Sequence, residues 1–377
     1  MIDLLIIQPT PFCNINCSYC YLADRGNKNK ISKETITLIA ERVIESTLYD
    51  KEITVVWHAG EPMVMPLDYF TELIEIINTK FKASGIEVSH SIQTNGTLFT
   101  QEWCDFINCF NIKIGISLDG PEFLNDINRK TRNGKGTFNM VMKGINLLRA
   151  NNIKYHAIAV ISELSLNYPD EIFSFFYENG FYQLGLNIEE LEGINLSSSL
   201  FKSDFYSQIE FFYKKLFDLY LSSDKKMTIR EFDNGLNAIL WDPTVINIKK
   251  RELHSHQNEP FGIITIDYLG NVSTFSPELI GQKSTVYNDF IFGNIYDSSL
   301  EDIKSSKEFN MVSNDIALGI KKCKKECAFY YLCGGGAPSN KFYENKSFNS
   351  TETNYCKYTL QIPTLIALSY LEQKIII

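Results

Sequence analysis

The first 190 residues alternate short apolar runs with amphipathic stretches, and this rhythm limits the folds open to the chain. The runs LLIIQP, EITVVWHAG, EVSHSIQTNG, IKIGISLDG, KYHAIAVIS and QLGLNIEE read as strands. Between them lie SKETITLIAERVIESTL, PLDYFTELIEIINTKF, TQEWCDFINCF, GTFNMVMKGINLLRAN and YPDEIFSFFYENG, with apolar residues at helical spacing. Ser32 is placed to cap the first helix. Six strands returning through helices predict a parallel sheet with right-handed crossovers. The rolled form is an α/β fold, a partial (β/α)6 TIM-like barrel of six units rather than eight. Such barrels carry their active sites at the C-terminal ends of the strands.

The rhythm then changes. SDFYSQIEFFYKKLFDLYLS, near 203–222, predicts one long aromatic helix. A polar stretch covers about 243–259, and GIITIDYLGNVSTFS reads as a hairpin turning at Leu-Gly-Asn. A Gly-rich, Cys-rich tail follows. With 377 residues the chain has room for a barrel and a second domain. The expected division is residues 1–250, a barrel with its connecting helix, and 251–377, a Cys-rich C-terminal domain.

A net charge of −9 argues against general nucleic-acid binding. No apolar run is long enough for a membrane span. MIDLLIIQP lacks a basic start and a cleavage site, so it reads as a strand, not a signal peptide. The closing LIALSYLEQKIII is broken by Glu372, Gln373 and Lys374 and reads as a packed helix. A cytoplasmic protein with reduced thiols is expected.

Seven of the nine cysteines form two groups: Cys13, Cys17 and Cys20, and Cys323, Cys327, Cys333 and Cys356. Cys104 and Cys109 lie beside Trp103 and Phe106 and read as small buried hydrophobes. An odd number of thiols in a reducing compartment points to metal ligation. Three thiolates on one loop can hold three corners of an iron–sulfur cluster, which normally takes four. The fourth iron is then open, as a catalytic zinc keeps one position open. A zinc knuckle is the alternative for the first group, and a Cys₄ zinc site for the second.

Cys13-x₃-Cys17-x₂-Cys20, with Tyr19 before the last cysteine, resembles the signature of radical S-adenosylmethionine (SAM) enzymes. The resemblance covers nearly the whole chain. It implies a [4Fe–4S] cluster on these three cysteines, with SAM on the open iron, and reductive cleavage of SAM to a 5′-deoxyadenosyl radical. HAGEP, ending the second strand, resembles the Gly-Gly-Glu-Pro element that meets the SAM amino group; Ala59, Gly60 and Glu61 match it, with Ala59 replacing a glycine. Ser117 and Asp119 of SLDG resemble the ribose-binding position. Arg129 matches the arginine that grips the SAM carboxylate, with Arg132 its rival. Val160 and Ile161 sit at the adenine-facing strand end.

The tail resembles the SPASM extension of radical SAM peptide maturases, which carries auxiliary [4Fe–4S] clusters on seven cysteines. Phe275 and Ala337 stand where two of those cysteines would be, and no cysteine occurs between 110 and 322. The resemblance therefore implies two [4Fe–4S] clusters, one open on Cys13, Cys17 and Cys20, and one closed on Cys323, Cys327, Cys333 and Cys356.

IIQPTPFCNINCSYCYLADR, NIEELEGINLSSSL, STFSPELIG and CGGGAPSNKFYE resemble the cyclophane-forming maturases of the GrrM/OscB type. That implies a ribosomally made precursor peptide as substrate and an external one-electron reductant of flavodoxin or ferredoxin type. The product is a C–C bond between an aromatic ring carbon and the β-carbon of a residue two positions later. The adduct must lose a proton, and Glu189, Glu190 and Glu278 are the leading bases. Tyr268 and the His254/His256 pair are further candidates. The chain opens directly on a strand, so no separate leader-binding domain is expected ahead of it. The rivals are thioether formation, formylglycine formation (set against by the missing cysteines), and a zinc-binding structural protein.

Overall fold

In the computed structural model, residues 1–239 and 255–375 are described. The six expected strands are present: β1 (Ile2–Ile7), β2 (Tyr49–Trp57), β3 (Glu87–Thr94), β4 (Lys113–Ser117), β5 (Tyr155–Ile161) and β6 (Gln183–Ile188). They pair in chain order and in parallel. The crossovers carry α1 (Lys33–Glu45), α2 (Leu67–Ala83), α3 (Gln101–Phe110), α4 (Glu122–Asn128), α5 (Phe138–Ala150) and α6 (Pro169–Glu178). Ser32 caps α1 by accepting from the Thr35 amide, as its position predicts. The helices bury one face each, with Ile36, Ile39, Ala40 and Val43 of α1 and Phe70, Leu73, Ile74, Ile77 and Phe81 of α2 inside. Burial of each of these Ile, Val, Leu and Phe side chains stabilises the fold by about 1.5–3 kcal/mol.

Before the Cys-rich tail, two helices escaped the sequence reading. α4 has seven residues and leaves Phe123 and Ile127 about half exposed, so its apolar pattern is weak. The long aromatic helix α7 (Tyr206–Ser222) is followed by a two-residue strand, β7 (Thr228–Ile229), and α8 (Arg230–Ile239).

The sheet does not end near residue 250. β8 (Ile263–Ile266) lies parallel to β1, with Leu4 opposite Ile263 and Ile7 opposite Ile266. β9 (Asn271–Thr274) and β10 (Gly293–Asn294) continue it antiparallel, giving the order β10-β9-β8-β1-β2-β3-β4-β5-β6-β7. The β8–β9 turn forms where expected: Asp267 accepts from the amides of Leu269 and Asn271, and Gly270 takes φ +83°. The expected hairpin is thus an extension of the barrel sheet. Local sequence marks a hairpin, but pairing partners so far apart in the chain leave no local trace.

The tail contributes α9 (Leu300–Ser305), α10 (Lys307–Glu326), α11 (Tyr330–Cys333), α12 (Pro338–Asn345) and α13 (Ile362–Ile375). α13 returns to the barrel and packs on α7 and α8, with Tyr370 edge-on to Phe217 at 5.7 Å. Among the described residues no helix is long and apolar enough to cross a membrane.

Candidate active site at the mouth of the parallel strands

The C-terminal ends of β1 to β6 open on one cavity of about 400 Å³. That volume suits a bound small molecule. Cys13, Cys17 and Cys20 line it, and all nine cysteines are free thiols. Their loop follows β1 and is clamped from the segment after α4. The Ser18 amide donates to the Asn128 carbonyl, Asn16 to Lys130, and Arg132 Nε to the Cys13 carbonyl at 2.8 Å. Arg132 therefore holds the loop, while Arg129 is the arginine that lines the cavity. Burial and the nearby Glu61 push the Cys13 thiol up to about 12; burial pushes Cys17 up to about 11 despite Arg129. Such thiols deprotonate only against a cation or metal.

The turn after β2 presses on this loop. Glu61 N donates to the Phe12 carbonyl at 2.9 Å, and a Cβ on Gly60 would lie 2.3 Å from the Thr10 carbonyl oxygen. Only glycine fits there. Ala59 holds φ +70°, a conformation that glycine adopts without strain. Ala59 and Gly60 line the cavity, but Glu61 does not. Its carboxylate is buried and spent on the Thr94 hydroxyl at 2.7 Å, the Met63 amide at 3.1 Å and the Asn95 amide at 2.7 Å. This corrects the expectation that Glu61 faces the bound molecule.

Asp119 is likewise turned inward. It pairs with Arg129 at 3.0 Å and accepts from the Tyr19 hydroxyl and, at 3.0 Å, the Val160 amide. Arg129 also stacks over the Tyr19 ring at 5.4 Å. Asp119 thus positions Tyr19, Arg129 and Val160, which line the cavity with Ser117, and does not line it itself. Ile161 is buried in the core, away from the lining.

The opposite wall is acidic. Glu189, Glu190 and Glu192 follow β6, and Glu278 follows β9; all four line the cavity. Glu189 is engaged by the Ser199 amide and hydroxyl. Glu190 accepts from Asn340 Nδ2 at 2.5 Å. Oε2 of Glu278 is buried and has no hydrogen-bond partner among the described residues. Burial raises Glu190 to about 8 and Glu278 to about 7, and Glu192 well above the ordinary range, with Glu278 and Glu190 adding to that rise. The Tyr21 hydroxyl contacts His58 Nε2 at 3.2 Å, and burial keeps that imidazole neutral by lowering it to about 4.

Other base candidates lie elsewhere. Tyr268 accepts from Asn27 at 3.2 Å in a surface groove, and His256 pairs with Asp3 at 3.1 Å, outside the cavity. His254 lies outside the described residues. The sequence reading missed Glu192, Gln93, Asn95, Arg230 and Asn340. Glu192 sits in the quoted NIEELEGINLSSSL and could have been found there; Arg230, a lone arginine, carries no signal. Cys104 is buried as expected, whereas Cys109 is exposed.

The second cysteine group lies behind this wall. Cys333 and Cys356 line a cavity of about 360 Å³ whose lining shares Gln257, Ala337 and Tyr355 with the first. Cys323 lies in the last turn of α10, Cys327 caps that helix, Cys333 ends α11, and Cys356 opens a π-helical turn. Cys327 feels the charges of Cys333 and Cys323, and Cys356 that of Cys333, so the four thiols share one neighbourhood. Among the described residues no three His, Cys, Asp or Glu side chains converge on a single ion.

The sequence pattern of the radical SAM superfamily matches residues 7–176, the span from β1 into α6. The chain is 30% identical over 353 residues to a serine-type anaerobic sulfatase-maturating enzyme of Bacteroides thetaiotaomicron, covering 88% of this chain and 81% of that one. The chain belongs to the radical SAM superfamily. This radical SAM enzyme is also 40% identical over 376 residues to an uncharacterized Synechocystis protein, sll1766, covering 99% and 93% of the two chains. Its fold matches that of native anSMEcpe with bound AdoMet and Cp18Cys peptide, with a TM-score of 0.78, 21% identity and 98% of both chains covered. Streptococcus suis SuiB bound to precursor peptide SuiA gives a TM-score of 0.63 at 16% identity, covering 94% of this chain and 76% of that one. SAM and iron–sulfur clusters are the cofactors of this family, and the cysteine sets fit them.

Proposed function

We propose that this radical SAM enzyme modifies a ribosomally made peptide, forming a C–C crosslink between an aromatic ring carbon and the β-carbon of a nearby residue. One observation carries the crosslink over formylglycine formation. Phe275 is fully buried, holds φ +76°, and stacks on Phe309 at 6.0 Å and 6°. By the resemblance drawn from the sequence, it stands where the seven-cysteine pattern has a ligand. The 30% identity to a sulfatase-maturating enzyme supports formylglycine formation as the second reading. Solved relatives holding peptides support a peptide substrate under either reading.

Cys13, Cys17 and Cys20 would hold the open cluster, and Cys323, Cys327, Cys333 and Cys356 the closed one. With SAM bound, the open cluster supplies a hydrogen-abstracting adenosyl radical. Arg129 brings a positive charge to the cavity wall for the SAM carboxylate. The Ala59 and Gly60 backbone, Ser117 and Val160 complete that side. The peptide gives up two hydrogens: one from the β-carbon as an atom, and one from the ring as a proton with one electron, which the group held by Cys323, Cys327, Cys333 and Cys356 would accept. Glu278 is the proton acceptor, with Glu190 and Glu192 sharing the charge. An external flavodoxin- or ferredoxin-type protein supplies electrons. We further propose that the chain works as two parts divided near residue 250, joined through β8.

The test is mass spectrometry of a precursor peptide encoded beside this protein, co-expressed with it. The expected product is lighter by two hydrogens per crosslink, with fragments absent between the joined residues. A loss mapped to a lone serine or cysteine would replace the crosslink by formylglycine.

A further inference from the structure

Lys341 on α12 is only 3% exposed. Its Nζ donates to Cys323 Sγ at 3.2 Å, and its charge also reaches Cys356. No described carboxylate forms an ion pair with it. Glu352, the acid that acts on Cys327, is tied to Lys357 and Gln361 instead. Gly336 makes room for the lysine stem: at φ +76°, a Cβ there would lie 3.3 Å from Cys356 Sγ and 3.7 Å from Lys341 Cε.

A buried ammonium without an anion is strongly unfavourable. Among the described residues, the anions within its reach are the sulfurs of Cys323 and Cys356. Lys321, Lys322, Lys324 and Lys325 on α10 are exposed, so water and salt screen them. Lys341 is not screened in this way. Net charge and hydrogen bonds to the ligand sulfurs are what set the potential of an iron–sulfur group.

We propose that Lys341 is the built-in counter-charge of the group held by Cys323, Cys327, Cys333 and Cys356, and that it raises that group's reduction potential. The site is thereby tuned to accept an electron rather than to clip the tail together. This rests on the four-cysteine reading given above.

The experiment is an EPR-monitored redox titration of anaerobically reconstituted full-length protein, with Cys13, Cys17 and Cys20 replaced by alanine so that one group remains. Lys341→Met should shift the reduction equilibrium at least tenfold toward the oxidised form, 59 mV for one electron. Lys341→Arg should restore most of it. Iron per chain should stay the same in all three. Should Lys341→Met fail to hold iron, Lys341→Gln, a donor without the charge, decides by the same titration. An unchanged potential in Lys341→Met or Lys341→Gln at full iron content overturns the proposal. No iron in the parent protein, or zinc in its place, overturns the four-cysteine reading itself, a different failure with a different readout.

Discussion

Glu278→Gln is expected to separate SAM cleavage from product formation. The variant should still release 5′-deoxyadenosine, because Cys13, Cys17, Cys20, Arg129 and the Ala59–Gly60 backbone are untouched. Crosslinked peptide should fall by about 10²–10⁴-fold, the usual contribution of a positioned base. The substitution keeps the shape and removes the unpartnered Oε2 as a proton acceptor. Glu190→Gln added to it should deepen the loss if the neighbour takes over. Chromatography of 5′-deoxyadenosine beside mass spectrometry of the peptide reads both. Product at the wild-type rate in the double variant contradicts the assignment.

The same acids fix a pH dependence. A base acts only when ionised, so product formation should rise with pH through about 7 to 8, where burial places Glu278 and Glu190. Stability has the opposite sign. These groups hold protons in the folded state that the unfolded chain releases near 4.5. Their stabilising contribution is full below that value and is lost as pH climbs to about 8.

Asp119→Ala is expected to cost about 3–5 kcal/mol of folding stability, the penalty for removing one partner of a buried ion pair. Arg129 would stay buried without its carboxylate, and the Tyr19 hydroxyl and Val160 amide would lose their acceptor. All three line the cavity, so the KM for SAM should rise as the denaturant midpoint falls. Asp119→Asn keeps one acceptor oxygen and should lie between the two. An unchanged KM in a destabilised Asp119→Ala protein would make Asp119 a purely structural residue.

Much of this was legible in the sequence. Strand and helix alternation is local and periodic, so β1 to β6 and their main helices could be placed. The cysteine loop could be set at the end of a strand for the same reason. What a side chain faces could not be read. Glu61 and Asp119 stand in family motifs, yet both spend their oxygens on neighbours that adjoin them only in the folded chain. Glu192 and Glu278 meet across a gap in sequence that no periodicity spans. Lys341 looked like one of many lysines until α12 brought it onto Cys323. β8 beside β1 is the same limit at the scale of the sheet.

The central claim is one open and one closed cluster on seven cysteines. Iron and sulfide content after anaerobic reconstitution tests it most directly, in wild type and in the Cys13→Ala/Cys17→Ala/Cys20→Ala variant. The account predicts about eight irons per chain falling to about four, one cubane lost and one kept. About twelve irons in the wild type, or four or fewer with zinc in the remainder, would contradict it.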